Sequence, residues 1–339
     1  AKAINKNALD YTLNKEDAEK LLEMTRAFGD LDDDYRYRGS NRAGLADGDG
    51  ILSSPNGPGV ARIPAKELVD SGLWQWLQFP QNWDFNATMM QPVGGMDHVP
   101  KAFERAIGPR ILRNAPVVKI TNHDKGVTVV YLDNGKRQEV KADFCINNAP
   151  THIVSGMNNN FSSRYRTALK DGAEWGKLFK IAFQAKRRFW EEDSQIYGGI
   201  SWTDQDILQL WYPPHGIHQQ KGIMLGSYQW DDKLAERWAQ LKPAGRLEAA
   251  IAQGEKIHPG YGGMVEKGLS VAWSKVPYMF GCSAEWSDAS RAQHYPTLVA
   301  AEGAHYMVGD QISFHGGWQE GAIRSAHRVI EDIARRVAA

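Results

Sequence analysis

What the sequence has little of narrows it first. Only two of its 339 residues are cysteine, Cys145 and Cys282. Two thiols so far apart, one of them inside the apolar run ADFCINNAP, make neither a disulfide framework nor a Cys/His metal site. They are expected as buried thiols. An excess of one charge is also missing, since Lys and Arg total 40 and Asp and Glu total 40. That balance gives no electrostatic footprint for nucleic acid or an anionic membrane surface. No run reaches the ~18 apolar residues of a membrane helix, so no membrane span is expected. The opening stretch has no apolar signal core and no initiator Met, as a cleavage product or a trimmed chain would have. The motifs G-x-G-x-x-G, Walker A, H-E-x-x-H and G-x-S-x-G are absent. The cluster Gly260–Gly263 has the wrong glycine spacing for a dinucleotide loop and no strand before it. His215 and His218 stand in a Pro/Gly loop, where no metal is expected.

What is present gives shape rather than a reaction. Apolar residues make up 42%, enough for a substantial core in one large domain or two to three smaller ones. There are 12 tryptophans, several beside glycines, an arrangement that lines pockets for flat ligands. Ala18, Leu21, Leu22, Met24 and Ala27 recur at helical spacing over 15–28, with Asn14 as cap and Gly29 as stop. A Gly/Asp/Pro-rich loop runs from Gly39 to Pro58, and a second helical piece is expected around Ala65–Gln78.

From Arg110 the period shortens to that of strands. PVVKIT and GVTVVYLD flank NHDKG as a hairpin, and KRQEVKADFCINNAP continues a β-meander to Pro150. In KLFKIAFQA (177–185), Phe179, Ile181 and Phe183 face one way, and Lys180, Ala182 and Gln184 the other. GIMLGSY (222–228) is a further strand whose Gly226 implies close approach of a neighbour. Residues 234–253 read as a helix interrupted by a turn at Pro243–Gly245. HYMVGD is a short strand ending in Gly309; the loop QISFHGGW then leads into a helix marked by Ala322, Ile323, Ala326, Val329, Ile330, Ile333 and Val337. A strand, a glycine loop and a helix N-terminus thus meet. Free N–H groups and the positive dipole end suit an anion, or a ring that must hold negative charge. From the residues alone the chain is a multi-domain α+β protein with a glycine–tryptophan pocket.

Seven stretches in a fixed order carry a resemblance: QPVGGMDHVPKAF (91–103), APVVKI (115–120), KRRFWEED with IYGGIS (186–201), WYPPHG (211–216), KGIMLGSY (221–228), AWSKVPYMFG (272–281) and VGDQISFHGGWQEGAIRSA (308–326). With FGDLDDDYRYRGSNRAG at 28–44, they make the chain similar to the flavin amine oxidase superfamily, most closely its bacterial L-amino acid oxidase branch. The resemblance implies an α+β / α/β architecture: part of a helical domain (1–90), an FAD-binding segment of Rossmann type (91–172), a substrate domain with a mixed sheet (173–297), and the closing strand–loop–helix of the FAD domain (298–339). The family's glycine fingerprint lies earlier in the gene. Its absence here is expected if an N-terminal chain of the same precursor carries it and stays assembled as a hetero-oligomer. Processing and hydrogen peroxide production favour a secreted or periplasmic location over a cytoplasmic one, and leave both open.

The resemblance also assigns roles. Lys180 matches the lysine that holds a water against the flavin N5. Tyr228 and Trp318 match the two aromatic walls of the substrate cage, with Gly317 at the flavin's pyrimidine edge. Gln319 and the helix after it resemble the stretch whose N–H groups meet N1 and O2. Val117 matches the residue whose backbone pairs with adenine, and Trp273 the tryptophan near the flavin ring. Gly309 permits backbone approach to FAD. Asp310 stands where the family usually has Glu on the ribityl chain, a departure that leaves the reach of the shorter carboxylate in question. The arginine that clamps the substrate carboxylate has no counterpart here. Three activities follow: an L-amino acid oxidase using O₂; a related amine oxidase or an amide-forming monooxygenase; or a non-catalytic scaffold that kept the fold.

Overall fold

The protein is described by a computed structural model covering residues 13–38, 64–76, 79–85 and 89–338. The Gly39–Pro58 loop, the 39–44 end of the first family-like stretch and Gln78 lie outside the described residues. The chain divides into two compact units, Ala1–Trp74 and Gln75–Ala339. In the first, α1 (Lys15–Phe28) starts where Asn14 Oδ1 accepts the Asp17 N–H at 2.8 Å. Ala18, Leu21 and Leu22 are half-buried, whereas Met24 and Ala27 are exposed. α2 (Ala65–Ser71) is shorter than its sequence pattern, because Gly72 takes the left-handed conformation (φ 69°) that ends a helix.

The second unit opens with α3 (His98–Ile107) and then the strands β1 (Val117–His123), β2 (Gly126–Asp133) and β3 (Lys136–Ala142). The hairpin is as the sequence reads it, with His123 opposite Gly126. The meander stops at Ala142, not at Pro150. β4 (Cys145–Asn147) leaves it and pairs in parallel with a strand near the C-terminus. Local periodicity cannot see a partner about 160 residues away, which is why the two strands looked like one run. α4 (Thr151–Gly156), β5 (Asn158–Asn159) and α5 (Ser163–Asp171) follow, and β5 extends the sheet to the order β3-β2-β1-β5. Ile120, Val127, Val154, Phe161, Tyr165 and Leu169 form the core between sheet and helices.

After the short β6 (Glu174–Trp175) comes β7 (Phe179–Ala185), in which every odd-numbered side chain is buried. It is one of the inner strands of a five-stranded sheet completed by β8 (Ile200–Trp202), β9 (Gln209–Trp211), β10 (Gly222–Gln229) and β11 (Val265–Ala272), in the order β11-β7-β10-β9-β8. The 234–253 region is two helices, α6 (Asp232–Ala239) and α7 (Pro243–Gly254). Pro243 begins the second helix instead of breaking a single one, since proline suits a first turn whose N–H has no partner. Phe179, Ile181, Phe183, Met224, Trp238, Ala250 and Tyr261 close one face of the sheet.

The chain ends with β12 (Ala284–Glu285), α8 (Asp288–Val299), β13 (His305–Met307) and α9 (Gln319–Ala338). β13 is the strand that receives β4, with His305 beside Cys145. Val329 and Ile333 of α9 pack with Tyr306 and Val308, while Ile323, Ile330 and Val337 remain exposed. The two thiols are half-buried rather than fully buried. No helix among the described residues is long and apolar enough to cross a membrane.

Candidate active site

The alternation of β7 turns Phe179, Ile181 and Phe183 into the core and leaves Lys180 on the opposite face. What Lys180 meets there is set by an irregularity in β10. Leu225 pairs with Ala182 but Ser227 pairs with Ile181, so Gly226 is an extra residue in the ladder. A bulge shifts the register by one residue and exchanges the faces of the side chains that follow. It brings Tyr228 opposite Lys180, whose Nζ lies 4.2 Å from the centre of the Tyr228 ring. Gly226 is required for a second reason. A Cβ there would sit 2.4 Å from the Phe183 ring and 2.8 Å from the Tyr261 hydroxyl. Gly226→Ala should therefore destabilise the holoenzyme by about 1–3 kcal/mol. An unchanged guanidinium midpoint would contradict this.

Electrostatics mark the same spot. Burial lowers the pKa of Lys180, which no carboxylate of the described residues offsets. Burial pushes the Tyr228 phenol up to about 12. The Cys282 thiol is pushed up to about 11 by burial, drawn down by Lys180 and raised again by Glu285 and Asp310. The face therefore sets Lys180 over a phenol and a thiol that both keep their protons at neutral pH. Trp273 follows Ala272, the ladder partner of Phe179, so it lies at the Lys180 end of the sheet; its backbone N–H donates to the Leu178 carbonyl at 3.0 Å.

The glycine loop before α9 supplies the second half. Gly309 is buried at φ 109°, and a Cβ there would lie 2.3 Å from Asn148 Oδ1. Its N–H donates to Ser325 Oγ at 2.8 Å. Asp310 Oδ2 accepts the Gly317 N–H at 2.8 Å. Nothing stands within 4 Å of where a Cβ would be at Gly316 or Gly317, so the loop has an open side. Trp318 is half-buried and directly precedes α9, and Gln319 begins that helix exposed.

Sequence reading missed what links the halves. Tyr228 touches Trp230 at 5.1 Å between ring centres. Trp230 stacks with Trp76 at 5.9 Å and with Trp202 at 6.2 Å, and Trp76 lies flat on Trp202 at 4.6 Å. Phe79 meets Trp230 and Phe85, and Phe85 meets Trp318 at 5.5 Å. An unbroken line of rings thus runs from Tyr228 to Trp318. The Trp230 indole N–H is buried with no hydrogen-bond partner among the described residues. Tryptophan abundance was the available signal, but it could not say which rings meet. Val117 is on β1, paired with Tyr131 and 40% exposed; none of the ring contacts just described includes it.

These residues suit a flavin. A desolvated lysine with no carboxylate partner among the described residues and the N-terminus of a 20-residue helix favour a ring whose pyrimidine edge becomes anionic. Trp273 and Trp318 offer flat faces, and Gly309 lets the Asn148 side chain pack directly against the strand end. No group of three or more His, Cys, Asp or Glu among the described residues is placed to hold a metal ion.

A family model described as flavin containing amine oxidoreductase matches residues 11–334. An L-amino-acid oxidase of Siganus canaliculatus is 29% identical over 261 residues, 74% of this chain and 48% of that protein. The putative L-amino-acid oxidase YobN of Bacillus subtilis (strain 168) is 28% identical over 253 residues, 71% of this chain and 52% of that protein. The chain therefore spans about half the length of these curated relatives. Among solved structures, cyclohexylamine oxidase from Brevibacterium oxydans IH-35A superposes with a TM-score of 0.63 at 19% identity, over 73% of this chain and 54% of that one. Wild-type putrescine oxidase bound to putrescine does so at 0.61 and 20% identity, over 71% and 53%. The α+β architecture is thus that of the flavin amine oxidases.

Proposed function

The chain belongs to the flavin-containing amine oxidoreductase family, and from that premise we propose that it is part of an FAD-dependent L-amino acid oxidase. The reaction turns an L-amino acid, O₂ and water into a 2-oxo acid, ammonia and hydrogen peroxide. The observation that carries this reading is the Lys180–Tyr228 pair, joined by continuous ring contacts to Trp318. The L-amino-acid oxidase relatives favour an amino acid over a simple amine. In this reading 91–172 and 298–339 contribute to the FAD domain, 173–297 to the substrate domain and 1–90 to the helical domain. A chain of the same precursor supplies the glycine-rich FAD motif and the carboxylate-clamping arginine.

When bound, FAD would supply the two-electron redox chemistry of the reaction. This chain's residues orient and protect. Tyr228 and Trp318 flank the amine and fix the direction of the Cα–H, which can supply much of the barrier reduction. The surrounding tryptophans exclude water and strengthen the field of Lys180. Lys180 would hold a water and its proton at its Nζ, on the face of β7 opposite the core. Gly309, Gly317, Gln319, Trp273 and Val117 would hold the cofactor.

The pH dependence has a stated sign. The substrate amine must be neutral to release hydride, so kcat/KM rises on the alkaline side. Burial makes the Lys180 ammonium lose its proton below the usual lysine range, so activity falls again at higher pH. Tyr228, at about 12, and Cys282, at about 11, titrate later and contribute no limb below that. The falling limb should disappear in Lys180→Met; a limb that persists there contradicts the assignment. Product analysis tests the reaction itself. Equal ammonia and peroxide with a 2-oxo acid support the oxidase, whereas CO₂ release with an amide product identifies the monooxygenase.

A further inference from the structure

Asp310 stands in Val308–Gly309–Asp310, where the resembled family carries a longer acid directed at the ribityl chain. Here the carboxylate turns back onto its own loop: Oδ2 accepts the Gly317 N–H at 2.8 Å. We infer that Asp310 is a positioning residue that fixes Gly317 and, through it, the ring of Trp318.

Three further observations support a built loop. Ser313 Oγ donates to the Asp310 carbonyl at 2.7 Å and accepts the His315 N–H at 3.0 Å, so the turn after Asp310 is closed from within. Arg291 donates from Nη1 to the Ser313 carbonyl at 3.0 Å, and its guanidinium lies 4.5 Å from the centre of the Phe314 ring, which ties the loop to α8. A Cβ on Gly321 would sit 2.2 Å from the His315 carbonyl oxygen, so the loop rests directly on the first turn of α9. The stretch between these anchors and the helix is Gly316–Gly317, with Gly317 exposed at φ 79°. Consecutive glycines have the most backbone freedom of any pair. The Asp310 bond holds the second of them, and Trp318 comes next in the chain. The bond is charge-assisted, the stronger kind of hydrogen bond. A glutamate at the same position would carry its carboxylate one methylene farther along the side chain. The change from Glu to Asp therefore exchanges a reach toward the cofactor for a hold on the substrate wall.

That Trp318 faces substrate rests on the proposed function; the tether itself does not. The test uses the flavin-loaded holoenzyme with Asp310→Ala, Asp310→Asn and Asp310→Glu. Its readouts are hydrogen exchange over 314–320 without substrate, flavin content, and kcat and KM with L-amino acids. Asp310→Ala should speed exchange at Gly317 and lower kcat/KM, each roughly 10-fold or more, at unchanged flavin content. Asp310→Asn, which keeps an acceptor oxygen, should restore most of both; Asp310→Glu should not. Flavin loss with unchanged kinetics in the loaded fraction would give the carboxylate to the cofactor and overturn the inference. Unchanged exchange, or faster exchange with unchanged kcat/KM, would overturn it as well. If the wild-type holoenzyme oxidises no amino acid, the functional reading fails, and exchange with flavin content still decides the tether.

Discussion

Lys180→Met lowers the oxygen-dependent turnover of the holoenzyme by roughly 100-fold or more, the usual cost of removing a preorganised charge from a water-poor site. Methionine is close to lysine in length and unbranched, so the β7 ladder and the Tyr228 contact survive and the charge alone is lost. The size of the effect follows from the surroundings. Burial depresses the lysine's pKa, and no carboxylate of the described residues neutralises it, so its field acts undiminished on whatever lies before it. Stopped-flow measurement of the two half-reactions separates the outcomes. A selective loss in the oxygen step places the role there, and a loss in the reductive step moves it to substrate. Unchanged rates in both would remove Lys180 from the mechanism.

The second large effect belongs to Trp318. Trp318→Ala removes the last ring of the line that begins at Tyr228 and takes away its contact with Phe85. Displacing a substrate by about 1 Å costs on the order of 100-fold, and kcat/KM should fall by about that factor. Stability should fall much less, because the side chain is half-buried and helix α9 is held by Ser325 and Val329 below it. Trp318→Phe keeps a flat face and should recover most of the loss. Equal impairment of the two variants, accompanied by a large drop in melting temperature, would make Trp318 a structural residue instead of a wall of the site.

Lys180 and Tyr228 differ in how much of their placement was legible. Period-two alternation is local, so the outward face of Lys180 could be read directly from KLFKIAFQA. The Tyr228 contact could not, because it depends on one extra residue in β10, and a bulge leaves no periodic trace. Gly226 did announce a close neighbour, but not that the neighbour was Phe183 or that the register shifts there. The pairing of Cys145–Asn147 with His305–Met307 is a parallel contact between distant segments, and nothing in either short run specifies its partner. For the site, resemblance supplied single residues and the structure supplied their connections. The bond from Asp310 to Gly317 and the rings of Trp76, Phe79, Phe85, Trp202 and Trp230 exist only in the folded chain. Pro243 misled because proline both breaks helices and begins them, and only the position of Lys242 as cap distinguishes the two.

The most direct test of the central claim is the visible absorption spectrum of the purified holoenzyme before and after anaerobic addition of mixed L-amino acids. The account predicts a yellow flavin spectrum that bleaches with the L-amino acids and not with their D-enantiomers. A colourless protein, or a flavin that no L-amino acid reduces, would contradict the assignment of Lys180, Tyr228 and Trp318 to an amino acid oxidase site.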